Sequence, residues 1–142
     1  LGITHSMARQ PGAVFHIPHG RANAMLLPHI VEFNSNINKH SKSQKEYLPA
    51  VKRYASIAHI LGLSNYNKVM SVRSLVNWIQ FMQKEMNIPL TIQEIGTISP
   101  DAYFEAIDKM ADAALADACT AANPRVPTKE DIVKIYKKLW SF

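Results

Sequence analysis

The sequence predicts an all-α fold, a multi-helix bundle of about six helices forming one domain. Three observations carry that prediction. Apolar residues recur at helical spacing along almost the whole chain, no segment sustains the alternation of a strand, and helix start and stop signals punctuate the pattern. With 142 residues, 47% of them hydrophobic, the chain is long enough to bury a core of its own, and it shows no internal repeat or linker.

From Gly20 onward, Ala22, Met25, Leu26, His29, Ile30 and Phe33 form one stripe, with Pro28 inside it as an expected kink. The run NSNINKHSKSQK breaks the pattern and reads as a polar loop. Pro49 suits a first helical position, and Val51, Tyr54, Ala55, Ala58 and Leu61 line one face until Gly62 ends it. The next helix is expected to begin near Ser71 and to bury Val72, Leu75, Val76, Ile79, Met82 and Met86, closing at Asn87 and Pro89. Thr91 and Glu94 have the spacing of a capping box and open a short helix that Gly96 stops. In SPDAYF, Ser99 is the cap, Pro100 takes the first helical position and Asp101 complements the helix dipole, with Phe104, Ile107, Ala111, Ala114 and Ala118 on the apolar face. A last helix starts at Thr128 and carries Ile132, Ile135 and Leu139, with Trp140 near its end.

Charge narrows the function classes. The net charge is +5 and the pI near 9.4, which permits contact with nucleic acid. The sixteen Lys and Arg residues are scattered, however, and the densest run, NKHSKSQKEY, has no aromatic interleaving beyond Tyr47, so it reads as a solvated loop and no nucleic-acid partner is expected. A single cysteine, Cys119, excludes an internal disulfide and fits a reducing, cytoplasmic setting. The most apolar stretch, AMLLPHIVEF, is far short of the ~20 residues that cross a bilayer, so no membrane partner is expected either.

Chemistry concentrates near the first residue. Three of the six histidines, His5, His16 and His19, fall within fifteen residues, among Pro11, Pro18, Gly12 and Gly20. Imidazole is the commonest side-chain ligand for zinc, iron and related cations, so the cluster raises the question of a metal. Pro18 resists a helix running through both His16 and His19. If a short helix carries His5 and the PHG turn opens the next, His5 and His19 can meet across the junction. Two ligands fall short of a catalytic site, there is no HExxH or cysteine cluster, and Arg9, one turn from His5, would repel a cation. Spacing alone therefore leaves structural or surface roles open for both histidines. Cys119 reads as a small buried hydrophobe where a helix gives way to a turn, and no glycine-rich phosphate loop is present.

The order of motifs says more. HSMA, then PGAVFHIPHGRANAMLLPHIVEFN, RYASIAHILGL, NIPLTIQEIG and ADACTAANPRVPTKEDIVKIY succeed one another through essentially all 142 residues, and the chain so resembles the C-terminal part of the iron-containing (group III) alcohol dehydrogenases. EYLPAVKRYASIA is most similar to the alcohol dehydrogenase half of bifunctional aldehyde-alcohol dehydrogenases, with propanediol and butanol dehydrogenases close behind.

The resemblance implies that residues 1–142 are a helical metal-binding domain of the dehydroquinate synthase-like type, normally joined to an N-terminal α/β domain that binds NAD(P). It implies that His5 and His19 are two of four metal ligands, the others, an Asp and a His, preceding Leu1. The implied ion is iron(II), or zinc in its place. The implied reaction is reversible hydride transfer between a small primary alcohol or aldehyde and nicotinamide, with Cys119 lining the substrate pocket. Two positions depart from the pattern. The family commonly reads HSMAH, its second histidine helping to relay the alcohol proton, and Arg9 stands there instead; Arg21 replaces an apolar residue. Arginine cannot accept that proton.

The chain opens on Leu1, directly against the histidine strip, which reads as a cut fragment. As such it is expected to be inactive alone, lacking the cofactor domain and half the ligands, to expose the apolar face meant for that domain, and to form homo-oligomers. The alternative from another class is a non-catalytic helical module that associates with itself or a partner.

Overall fold

A computed structural model describes residues 2–37, 48–64 and 66–141. These are helical throughout, with no strand among them: α1 (Gly2–Phe15), α2 (His19–Ser35), α3 (Pro49–Ile60), α4 (Lys68–Glu85), α5 (Pro100–Ala116) and α6 (Lys129–Trp140). Short 3-10 turns cover Gln93–Ile95 and Ala118–Ala122. The all-α bundle expected from the apolar periodicity is thus the fold. Of the loop expected at NSNINKHSKSQK, Asn34 and Ser35 instead close α2, Asn36 and Ile37 follow it, and the remainder, with the basic run, lies outside the described residues.

Helix starts follow their caps. Pro49 occupies the first turn of α3, and the Ser99 hydroxyl accepts from Ala102 N–H at 3.3 Å to open α5. Thr128 and Asp131 form a reciprocal capping box on α6, the Thr128 hydroxyl accepting from Asp131 N–H at 3.2 Å while the Asp131 carboxylate accepts from Thr128 N–H at 3.0 Å. Helix α4 begins at Lys68, ahead of the expected Ser71, because the Asn67 side chain caps Met70 N–H at 2.9 Å and brings Val69 into the core. At TIQE, the Thr91 hydroxyl accepts from Glu94 N–H, but the Glu94 carboxylate turns to Leu90 N–H, and a single 3-10 turn results.

Helix α2 is shared by two cores. On one side Ile3 and Met7 of α1, Met25 and Leu26 of α2, Tyr103 and Met110 of α5 and Tyr136 and Leu139 of α6 close the larger one. On the other, Val31 and Ile37 meet Val51 of α3 and Val69, Val72 and Val76 of α4. Several expected core positions move outward. Tyr103 is fully buried and turns Phe104 to the rim at 43% exposure, while Leu61 and Met86 lie at helix ends and are exposed. Ala118 leaves α5 because Asp117 turns extended and caps the following 3-10 turn.

Two prolines sit inside helices, Pro11 in α1 and Pro28 in α2. A helical proline has no N–H for the carbonyl four residues back, which orphans Met7 O and Ala24 O. Each carbonyl receives a side-chain donor from another helix. The Tyr136 hydroxyl donates to Met7 O at 2.9 Å, and the Gln83 amide nitrogen donates to Ala24 O. Helix α1 is therefore longer than the short segment expected, because α6 supplies the bond that Pro11 cannot. Among the described residues, no helix is long and apolar enough to cross a membrane.

Candidate metal centre

The junction between α1 and α2 is three residues long, His16, Ile17 and Pro18. His16 adopts a left-handed conformation (φ 57°), its N–H donating to Gly12 O at 3.1 Å, and Ile17 N–H reaches back to Pro11 O at 3.4 Å. Gly12 suits this turn, since a Cβ there would lie 3.2 Å from Ile17 O. Pro18 then starts α2, its carbonyl accepting from Ala22 N–H at 3.0 Å. The chain reverses, and His19 at the head of α2 comes to rest against His5 on α1.

His5 Nδ1 and His19 Nε2 are 3.2 Å apart, with the rings edge-on at 85° and their centroids at 4.5 Å. Two imidazole nitrogens bound to one zinc or iron ion, each at about 2.1 Å and at a tetrahedral angle, stand roughly 3.4 Å apart. The pair thus has the span of one edge of a coordination shell. Partial desolvation, then the charge of His19 and then that of Arg9, lower the His5 pKa below the usual imidazole value, and Asp117 opposes the shift. The shift favours the neutral form, in which imidazole ligates a metal. Among the described residues no group of three or more His, Cys, Asp or Glu gathers, so the two histidines are donors toward a shell that this chain does not close. His16 is exposed on the turn, and His29 and His59 lie on other faces, His29 beside Lys138 and His59 bonded to Ser64.

Arg9 Nη1 donates to Asp117 Oδ2 at 2.7 Å, with the Arg9 side chain 49% exposed and that of Asp117 10%. The other Asp117 oxygen accepts from Cys119 N–H at 2.8 Å. These two bonds, the backbone one foremost, hold the Asp117 carboxyl down at about 2. The repulsion that Arg9 would direct at a cation beside His5 is thereby offset by a permanent counter-charge. Asp117 carries no obvious mark in the sequence beyond its position two residues before Cys119, since its partner is 108 residues away.

The turn that carries Cys119 is pinned to α1 at two further points. The Thr120 hydroxyl donates to Ala114 O at 2.6 Å and pairs with the Ser6 hydroxyl at 2.8 Å. Buried Asn123 accepts from Ile3 N–H at 3.3 Å and donates to Asn34 Oδ1 at 2.7 Å. Gly2 is needed there, for its φ is +68° and a Cβ would fall 2.8 Å from Asn123 Oδ1. Cys119 itself is half-buried. Arg21 is exposed, two residues past His19.

A profile of the Fe-containing alcohol dehydrogenase family, C-terminal, matches residues 1–140. The chain is 39% identical over 137 residues to an NADPH-dependent butanol dehydrogenase of Clostridium saccharobutylicum, covering 96% of this chain and 32% of that protein. It is 38% identical over 140 residues to a bifunctional aldehyde-alcohol dehydrogenase of Escherichia coli K12, covering 95% of this chain and 16% of that protein. The alcohol dehydrogenase from Oenococcus oeni superposes with a TM-score of 0.79 at 31% identity, over 99% of this chain and 33% of that one. The chain thus spans a third or less of the relatives it matches. Fold, motif order and family profile agree, and the chain belongs to the Fe-containing alcohol dehydrogenase family, to its C-terminal part.

Proposed function

We propose that residues 1–142 form the metal-binding helical domain of an NAD(P)-dependent, iron-type alcohol dehydrogenase that interconverts small primary alcohols and aldehydes. The observation that carries this reading is the convergence of His5 and His19 at 3.2 Å within a chain of this family. Support for the substrate class comes from the relatives, a butanol dehydrogenase and a bifunctional aldehyde-alcohol dehydrogenase. In this reading His5 and His19 hold iron(II), or zinc, and the rest of the intact protein brings the remaining ligands and the dinucleotide. The 142-residue chain alone is inactive.

A divalent ion bound by this pair supplies Lewis-acid polarisation of the carbonyl or alkoxide oxygen during hydride transfer between the alcohol carbon and nicotinamide. The chain's own residues do the rest. His5 favours its neutral form for coordination, and the half-buried Cys119 lines the substrate pocket rather than acting as a nucleophile. Arg9 takes no proton from the alcohol, since its bond to Asp117 raises a pKa already far above neutrality. The lone free cysteine fits a reducing cytoplasm. The apolar outer face of α3, with Ile57 44% and Ile60 81% exposed, suits packing against another domain or subunit in a homo-oligomer.

Metal removal tests the reading. Oxidation of a primary alcohol by the intact dehydrogenase is expected to vanish after dialysis against a strong chelator and to return on adding Fe(II) or Zn(II). Full turnover after complete loss of metal would refute it.

A further inference from the structure

The C-terminal end of α2 and one face of α6 enclose a cleft of about 340 Å³, within the size range of small-ligand pockets. Arg125, Lys134, Lys137 and Lys138 line it, and none of the four forms an ion pair among the described residues. Two carboxylates share the lining, Glu32 and Asp131. Asp131 is committed to the start of α6, its carboxylate accepting from the N–H and the hydroxyl of Thr128, each at 3.0 Å. Burial pushes the Glu32 carboxyl upward, against the pull of Lys138 and Arg73, and His29 in the same wall is uncharged near neutrality. Even with both carboxylates ionised, the four cations leave an excess of two positive charges. The dipole of α6 accounts for Lys137 and Lys138 in its last turn, but Lys134 stands one turn before Lys138, where like charges repel. Arg125 is pre-set: its Nη1 donates to Phe33 O at 2.7 Å, and its guanidinium carbon lies 4.1 Å from the Phe33 ring centroid. Nη2 and Nε remain for an acceptor, and Phe33, Ile37 and Ile135 give the cleft an apolar floor. Cations of one sign over a low-dielectric floor focus their field on an anion.

We propose that this cleft binds a small organic phosphate, with the phosphate dianion against Arg125, Lys134 and Lys138 and a short apolar body on Phe33, Ile37 and Ile135. A dianion matches the excess charge, and its three acceptor oxygens can meet the guanidinium fork and two ammonium groups together. Phe33 lies about 21 Å along α2 from His19, so a ligand of this size does not reach the histidine pair. The inference is therefore independent of the metal.

The test titrates phenyl phosphate, inorganic phosphate and phenol into the intact protein at physiological ionic strength, read by calorimetry. Wild type is compared with Lys134→Glu, Lys138→Glu and Lys109→Glu, with thermal melting as the check on folding. Lys109 is exposed on α5 and does not line the cleft, so it controls for net charge. Wild type is expected to bind one phenyl phosphate, more tightly than inorganic phosphate, and to show no saturation with phenol. Lys134→Glu and Lys138→Glu should each weaken phenyl phosphate about tenfold or more, the worth of one charge-assisted bond. Lys109→Glu should change it by less than about twofold, because a distant surface charge is screened by salt. No saturable binding of phenyl phosphate, affinities unchanged in Lys134→Glu and Lys138→Glu, or an equal loss in Lys109→Glu would overturn the proposal. Displacement of phenyl phosphate by NADP would give the cleft to the dinucleotide and overturn it too. So would saturation by a phosphoserine peptide but not by phenyl phosphate, which would make the cleft a protein-docking face.

Discussion

His19→Ala is expected to lower the affinity of the intact protein for Fe(II) or Zn(II) by more than about 100-fold, and His5→Ala to do the same. The bound follows from comparison, since removing a group that merely orients a ligand already costs 10- to 100-fold, roughly, in metal affinity. Removing the ligand itself exceeds that. Stability should barely respond in His19→Ala, because His19 is exposed at the first position of α2 and its ring packs against His5 alone among the ring contacts. A change within about 0.5 kcal/mol is expected for such a surface position. Equilibrium dialysis with metal analysis, beside a denaturant titration, checks both halves. Wild-type metal content in either variant would contradict the assignment.

The second large effect concerns acid. His29 lies on α2 beside Glu32 and Lys138, and burial, aided by the Lys138 charge, pushes its pKa down to about 4 from 6.5. Between those values the unfolded chain binds a proton that the folded chain refuses, so stability falls as the pH falls. The contribution is nil above pH 6.5 and grows downward until about pH 4. Carried from 6.5 to about 4, that refusal costs about 3 kcal/mol at the acid end. His29→Phe should remove that slope, read from urea midpoints at pH 7 and pH 4. Glu32, raised by burial, acts with the opposite sign, so the difference between variant and wild type is the informative quantity. Asp117, held at about 2 against an ordinary 3.8, loses its stabilising effect as the pH falls through that lower range, and its share cancels in the difference between variant and wild type. An unchanged slope in His29→Phe would show that His29 titrates normally.

Local chemistry made the starts of α3, α5 and α6 legible, for Pro49, Ser99 with Pro100, and Thr128 act on the backbone within three residues of themselves. What escaped was non-local. Nothing local shows how α1 runs through Pro11, because the donor to the carbonyl it orphans at Met7 is Tyr136, 129 residues away. Pro28 does not end α2 for the same reason, with Gln83 as the distant donor. In the candidate site the meeting of His5 and His19 followed from a helix, a Pro-containing turn and a second helix. Asp117 did not, because nothing near Arg9 in sequence announces a counter-ion delivered by the far end of α5.

At the centre of the proposed function, His5 and His19 together face one metal ion. Substoichiometric Co(II) titrated into protein carrying isotope-labelled histidine, followed by NMR, tests it most directly. The His5 and His19 ring signals are expected to broaden first and in step, ahead of those of His16, His29 and His59. Initial broadening at any other histidine, or broadening of His5 without His19, would contradict it.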